Sequence, residues 1–440
     1  MKRRPHALTL AQGDQIVVAE GPTHGLVTLI GSFGLGAAED RRADGGTCSA
    51  WAMTQRGTAL RSRSAWVQAM ERCLAQFDVQ TTLSRVRWQL RVPRARLEAA
   101  LDLVEEAFFR AADDPASWRE LQEDTDEWVR QTLETPEGAL ERQWRRSLWP
   151  RSRWGRPVEG FARYRQLRSA RASAELEEIR RRSFAAPWVF GLAAEDAGAL
   201  VPELEARFAR WRAERPLTLS ARSAAPPVAM KGRRSQHVEV PWSSQHALWV
   251  IHAMPPASDP AWPTYQLLAA AFGRGFLSPL LSEIRGRLAL SYHVGAVLIE
   301  GAQGSLWSWE LEPEGDRVLE AYDALRAVWD AWLNAGWDAA RWELVRRALI
   351  GGTLVEREPT DARLRHALRL VDAGRPLDAY GDDVAAWQSI DGEVVLNAAR
   401  NLGLSSDHLV LSAGREGPGA RAWEDRDVQV ARPLGVRALR

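Results

Sequence analysis

Eight histidines and two cysteines are the side chains of this chain best suited to hold a metal or attack a carbonyl, and their spacing excludes most of that chemistry. A two-imidazole site built on one helix needs its histidines a turn apart, yet no histidine here lies within five residues of another. A Cys48 nucleophile would need a nearby histidine to lower its pKa. The first half of the chain holds only His6 and His24, and nothing in the sequence places either beside it. Cys73 shares an apolar face with Trp66, Met70 and Leu74 at helical spacing and reads as a core thiol, so a disulfide is not expected. Gly31-Ser32-Phe33-Gly34-Leu35-Gly36 and Gly273-Arg274-Gly275 lack the full glycine spacing and the following lysine or acid of a phosphate loop, and both read as turns.

The elements that would position these groups fall into two similar series. A chain of 440 residues is too long for one ordinary core and suggests two domains of roughly 200 residues. Strands are expected at Ile16–Val18, Leu26–Phe33 and Val86–Val92, the last from its strict alternation with Arg87, Gln89 and Arg91, followed by a helix carrying Leu97, Leu101, Val104 and Phe108. The order recurs later: strands through Val238 and Val240, Leu248–Met254, Tyr292–Ile299 and Leu306–Leu311, with helices from Trp262 to Phe272 and through Val318, Tyr322, Leu325 and Trp329. Each series closes on a short apolar strand, Trp188–Ala193 and Leu409–Ala413. Strands grouped ahead of helices argue for an α+β fold on largely antiparallel sheets. Between the series, Pro216, Pro226 and Pro227 and the basic run Lys231 to Arg234 read as a linker. The expected division is residues 1–212, a linker at 213–236, and 237–440.

Composition excludes some partners. With 58 basic and 57 acidic side chains, nothing points to nucleic acid or an anionic membrane surface. Lysine occurs only at Lys2 and Lys231, so the abundance of arginine reads as compositional bias. No run approaches the ~20 apolar residues of a membrane span, and the start of the chain lacks the apolar stretch of a signal peptide, so the expected location is the cytoplasm. Most of the 21 tryptophans are expected in cores, Trp329 among them.

The segment Gly45–Thr58 resembles the zinc helix of the M16 (pitrilysin, or mitochondrial processing peptidase-like) metallopeptidases, G-x-x-H-x-x-E-H-M-x-x-x-G-T, through Gly45, Met53, Gly57 and Thr58. Leu148-Trp149-Pro150 with Trp154 to Gly160, Phe208 to Trp211, Met254-Pro255-Pro256, Phe272 to Gly275, and Ser278 to Arg285 extend the resemblance in order along most of the chain. At the family's His, Glu and His positions stand Cys48, Trp51 and Ala52, which cannot build a zinc site. The family's third ligand would fall near Trp128; Glu127 is adjacent, about 100° away around a helix, and reads as a solvated acid among Glu123, Asp124 and Asp126.

The resemblance implies two homologous halves enclosing a peptide chamber. It also implies a substrate-binding role for Arg285 and Tyr292, whose frame is similar to the family's R-x-x-x-x-G-L-A-Y, with Ala289 in place of the usual glycine. The expected function is the non-catalytic subunit of a heterodimeric M16 zinc peptidase. No metal is expected in this chain; zinc and the H-x-x-E-H motif are expected in the partner, and the substrate is a peptide or unfolded polypeptide. The alternative is a scaffold of M16 fold with no part in catalysis.

Overall fold

The structure, a computed structural model, describes residues 4–11, 13–40, 44–161, 169–216, 226–228, 230–276, 278–336, 338–404, 406–431 and 434–435. Thirteen strands form two sheets. In the first half these are β1 (His6–Thr9), β2 (Gln15–Glu20), β3 (Leu26–Phe33), β4 (Gln76–Thr81), β5 (Val86–Pro93) and β6 (Trp188–Ala194), arranged β1-β2-β6-β3-β5-β4. The second half contains β7 (Arg233–Glu239), β8 (Ala247–Met254), β9 (Ser291–Ile299), β10 (Ser305–Pro313), β11 (His408–Gly414), β12 (Gln429–Val430) and β13 (Leu434–Gly435). Their order is β12-β7-β11-β8-β10-β9, with β13 also on β7.

The two sheets share one plan. In β2-β6-β3-β5-β4 only the first pair is parallel, and in β7-β11-β8-β10-β9 the same single pair is parallel. The closing apolar strands β6 and β11 are the central ones, buried along their whole length, as a strand covered on both faces must be. Alternation behaves as expected in β5: Val86, Trp88, Leu90 and Val92 are buried, and the residues between them face outward in the Val27↔Val92 to Phe33↔Val86 register with β3.

Each sheet buries one face on helices of its own half. In the first, Trp88 meets Phe108 of the helix Leu97–Phe109 and Trp211 of the helix Ala197–Glu214. In the second, Trp307 and Trp309 pack on Trp329 of the helix Val318–Ala335. The other faces are covered by exchange. The helix Pro136–Leu148 of the first half lays Ala139, Leu140 and Trp144 on Val238, Ile251 and Leu411 of the second sheet. The helix Thr360–Asp372 of the second half lays Leu364, Ala367 and Leu368 on Val17, Ile30 and Val189 of the first. Hydrogen bonds anchor the crossing: Thr360 Oγ1 donates to the Pro22 carbonyl at 2.9 Å, Arg363 to the Glu20 carbonyl at 2.9 Å, and Gln143 to Gln236 at 2.7 Å.

Three expectations are corrected. Leu74 does not share the buried face of Trp66, Met70 and Cys73: it follows the helix Arg63–Arg72 in a left-handed conformation (φ 53°) and is 71% exposed. Gly31 to Phe33 belong to β3 rather than to a turn. The helix Ala197–Glu214 and strand β7 take up both ends of the expected 213–236 connection, and residues 217–225 lie outside the described residues.

Candidate functional site: an emptied helix and an exposed Arg/Tyr pair

The frame residues of the Gly45–Thr58 segment have structural work to do. Gly45 begins the helix Gly46–Ala52 at φ 77°, and a Cβ there would lie 2.0 Å from the Glu159 carbonyl oxygen. Gly160, at φ 74°, meets the Asp44 backbone from the other side. Two chain segments thus touch backbone to backbone, which only glycine permits. Met53 is fully buried among Ala50, Trp118, Leu121 and Leu176.

At the motif positions, packing has replaced coordination. Trp51 is fully buried, its indole 4.9 Å from the Phe33 ring, 5.3 Å from Phe108 and 5.6 Å from Phe184, and its N–H donates to Ser183 Oγ at 3.1 Å. Ala52 packs beside Ile179 on a small apolar cluster. Arg180, 2% exposed, donates to the Ala50 carbonyl at 3.0 Å and pairs with Asp113, placing a fixed positive charge beside this helix. One thiol, one methyl group and an indole whose only polar atom is a donor do not fit a zinc ion. Among the described residues, no three His, Cys, Asp or Glu side chains converge as a metal-holding group. Glu127 accepts from Arg130 at 2.8 Å and Gln131 at 2.7 Å on an exposed helix face, and the Arg130 contact holds its carboxyl below the usual range. The same helix, Pro115–Thr132, turns Trp118 and Leu121, not Glu127, toward the motif helix.

Sequence reasoning missed Asp40. Its carboxylate accepts from the Thr47 N–H at 3.0 Å and hydroxyl at 2.5 Å at the start of the motif helix, and burial raises its pKa to about 6 against those bonds. No pattern in the sequence marks it, because the partner lies seven residues on across a loop.

Arg285 and Tyr292, by contrast, are brought together. The Arg285 guanidinium carbon lies 4.2 Å from the Tyr292 ring centroid, a cation–π contact. Three backbone irregularities build that contact. Arg285 rides on a π-helical stretch, Leu281–Arg287, a form common at functional sites. Ala289 follows at φ 47°, keeping the left-handed turn a glycine would make. The β9–β10 register then shifts between Val294↔Leu311 and Ser291↔Pro313, inserting an extra residue at Tyr292 and His293 that re-aims both. Tyr292 is 82% exposed. Among the described residues, neither side chain forms a hydrogen bond or ion pair. Replacing Ala289 by glycine removes left-handed strain and is expected to stabilise the protein by about 1 kcal/mol, read from urea unfolding, with the ring contact unchanged. A destabilised Ala289→Gly protein would contradict the strained-turn account.

A cavity of about 1670 Å³ lies between the halves. Edge strand β4 and the turn after it line one side, and residues Val294 to Ile299 of edge strand β9, two positions on from Tyr292, line another. The exchanged helices supply Trp144 and Arg145 from the first half and Arg365, His366 and Arg369 from the second. Asp372, paired with Arg85 and Arg87, ties the halves across it. Cys48, Trp51 and Ala52 do not line it.

This geometry is that of a known class. Residues 190–349 match the family model described as the Peptidase M16 inactive domain. The fold is similar to the crystal structure of a peptidase M16 inactive domain from Pseudomonas fluorescens, with TM-score 0.83 and 19% identity over 94% of this chain and 99% of that one. It is also similar to a protease from Helicobacter pylori (TM-score 0.76, 13% identity, 94% and 100% covered). The first half of the periplasmic protease PqqL from Escherichia coli matches with TM-score 0.73 at 13% identity, over 97% of this chain and 96% of that one. No curated relative matches the sequence. The chain therefore has the fold of M16 proteins, two similar halves, with a match to the M16 inactive domain over residues 190–349 and no H-x-x-E-H motif in its first half. No helix among the described residues is long and apolar enough to cross a membrane.

Proposed function

We propose that this chain is the substrate-binding, non-catalytic member of a two-chain M16 zinc peptidase. A partner bearing H-x-x-E-H would carry the zinc, which supplies a polarised carbonyl and an activated water when bound. This chain's residues bind and orient. An extended peptide lies against the free edges of β4 and β9, whose backbone groups can add it as a further strand. The observation that carries the reading is the Arg285/Tyr292 pair: two donors held together by three backbone irregularities, the Tyr292 ring exposed and Arg285 partly so, and neither engaged in a hydrogen bond or ion pair among the described residues. Neither side chain lines the cavity, but Tyr292 stands two positions along β9 from Val294, which does, and a purely structural protein has no use for a phenol and a guanidinium paired there.

The test is co-expression with an M16 chain that has H-x-x-E-H, followed by a peptidase assay. Neither chain alone should cleave efficiently. In the pair, Tyr292→Phe or Arg285→Ala should lower kcat by about 10²-fold, the usual loss for one oxyanion donor, with assembly intact by size-exclusion chromatography. Full turnover with both substitutions would make the chain a scaffold of the complex.

A further inference from the structure

The chamber lining, to which the helix Thr360–Asp372 and the turn after it contribute, is far more basic than the nearly neutral chain. Eight arginines and four carboxylates line the chamber, whereas the whole sequence has 58 basic and 57 acidic side chains. Every one of the four carboxylates is already engaged. Asp372 pairs with Arg85 and Arg87, and Glu356 with Arg274 at 3.1 Å. Glu300 accepts from Trp262 at 3.3 Å and Gln266 at 3.2 Å. Asp383 takes both terminal nitrogens of Arg375, at 2.7 and 3.2 Å.

Two guanidiniums are left over. Arg357 has a 4.0 Å approach to the already bidentate Asp383 and lies 5.7 Å from the Tyr380 ring centroid, and the exposed Arg369 side chain forms no hydrogen bond or ion pair among the described residues. Beside them His366, 7% exposed and also lining the chamber, packs its ring 5.1 Å from that of Tyr380, and its Nε2 is buried without a partner among the described residues. Burial first, then the Arg357, Arg369 and Arg375 charges, hold this imidazole neutral down to about pH 3. A buried polar atom with no partner is costly unless something completes it. Two planar forks whose charges act on it, one of them unpaired among the described residues, ask for an oxyanion.

We propose that Arg357, Arg369 and His366 form a carboxylate-binding site on the chamber wall, taking the acidic side chains or the C-terminal carboxylate of an extended polypeptide. The site rests on the reading that the chamber takes up peptide, and it adds a specificity: acidic segments are preferred over neutral ones. Arg145, over the Trp144 ring at 4.2 Å on the other exchanged helix, lines a second wall but is already paired with Glu141 at 3.4 Å.

The test needs no partner chain. Fluorescence anisotropy on the isolated protein would compare three labelled peptides of one neutral sequence: amidated, with a free C-terminus, and amidated with internal glutamates. At least one charged peptide should bind about tenfold or more tighter than the neutral one, and which one does separates C-terminal capture from side-chain recognition. Arg369→Gln, at an exposed position that leaves folding intact, should bring the charged peptides down to the neutral level. Independently, the His366 ring resonance, assigned by its loss in His366→Gln, should move saturably with succinate in the wild type and not in Arg369→Gln. Equal binding of all three peptides with no His366 response overturns the site and leaves the peptide chamber standing. Retention of the acidic preference in Arg369→Gln also overturns it. A succinate response with no peptide binding keeps the site and overturns the peptide reading; neither response overturns both.

Discussion

Lowering the pH from 7 to 5 is expected to cost the fold about 5 kcal/mol, a change that rivals the total stability of an ordinary domain. The cause is four buried imidazoles: burial, with His408 nearby, holds His252 well below the usual histidine range, adding to the three that set this figure. His237 lies against Ser412 Oγ at 2.9 Å with its Nε2 unpartnered, and burial, with the nearby His246, holds its pKa at about 4. His408 is saturated by the Tyr322 hydroxyl at 2.8 Å and the Leu404 carbonyl at 3.2 Å, and burial, with Arg233 and Arg326 close by, holds it at about 4. His366 is held at about 3. A histidine whose folded pKa lies below its unfolded value of 6.5 binds more protons when unfolded, so its contribution is fully present at higher pH and disappears as pH falls through the window between the two. At pH 5 each of the three has lost about 2 kcal/mol. Asp40 works in the opposite sense: its pKa is raised from 3.8 to about 6, so it is ionised at a cost at pH 7 and returns about 1 kcal/mol on the way to pH 5. Urea unfolding at the two pH values measures the difference. His366→Gln should remove about a third of the loss, and Asp40→Asn should make it steeper. Equal unfolding free energies at pH 7 and 5 would mean that these groups are hydrated rather than buried.

What could be read in advance followed from how local its physical cause is. The alternation of Val86, Trp88, Leu90 and Val92 declares β5 because one face of that strand is buried and the other is not. The emptied zinc helix was legible because residue type alone excludes coordination: no placement gives Ala52 a donor atom. Where Trp51 goes was not legible, since its partners Phe33, Phe108 and Phe184 come from three other elements. The pairing of Arg285 with Tyr292 depends on a π-helical stretch and a bulge, and an extra residue in a hydrogen-bond ladder leaves no signature of composition. The arginines of the chamber wall were hidden by the opposite problem. In a chain whose bases are nearly all arginine, the run from Arg357 to Arg375 looks like its surroundings, and only the inventory of which carboxylates are already taken distinguishes it. The exchanged helices illustrate the same limit: Leu364, Ala367 and Leu368 announce a buried face but cannot say whose sheet it covers.

That exchange makes the strongest prediction about the architecture. Leu364→Ala should destabilise the whole protein by about 3 kcal/mol, since a fully buried leucine is lost together with the space it filled, and Leu140→Ala, equally buried on the other exchanged helix, should do the same. Each residue belongs to one half and covers the sheet of the other, so each substitution loosens the half that does not contain it. Hydrogen exchange should register this: Leu364→Ala would raise the exchange of β2, β3 and β6 amides before those of β7, β8 and β11, and Leu140→Ala the reverse. Cut within residues 217–225, the two pieces should be poorly folded apart, because without its borrowed helix the first sheet exposes Val17, Ala19, Ile30, Val189 and Ala193, all at most 3% exposed in the intact fold. Mixed, they should recover one cooperative transition. Halves that fold independently to full stability, or a Leu364→Ala effect confined to the second sheet, would show that the crossing helices decorate two finished domains. The joint core makes the opposite case: a chamber walled by helices that each half lends the other cannot be opened without weakening both, which ties its two edge strands to a single relative placement.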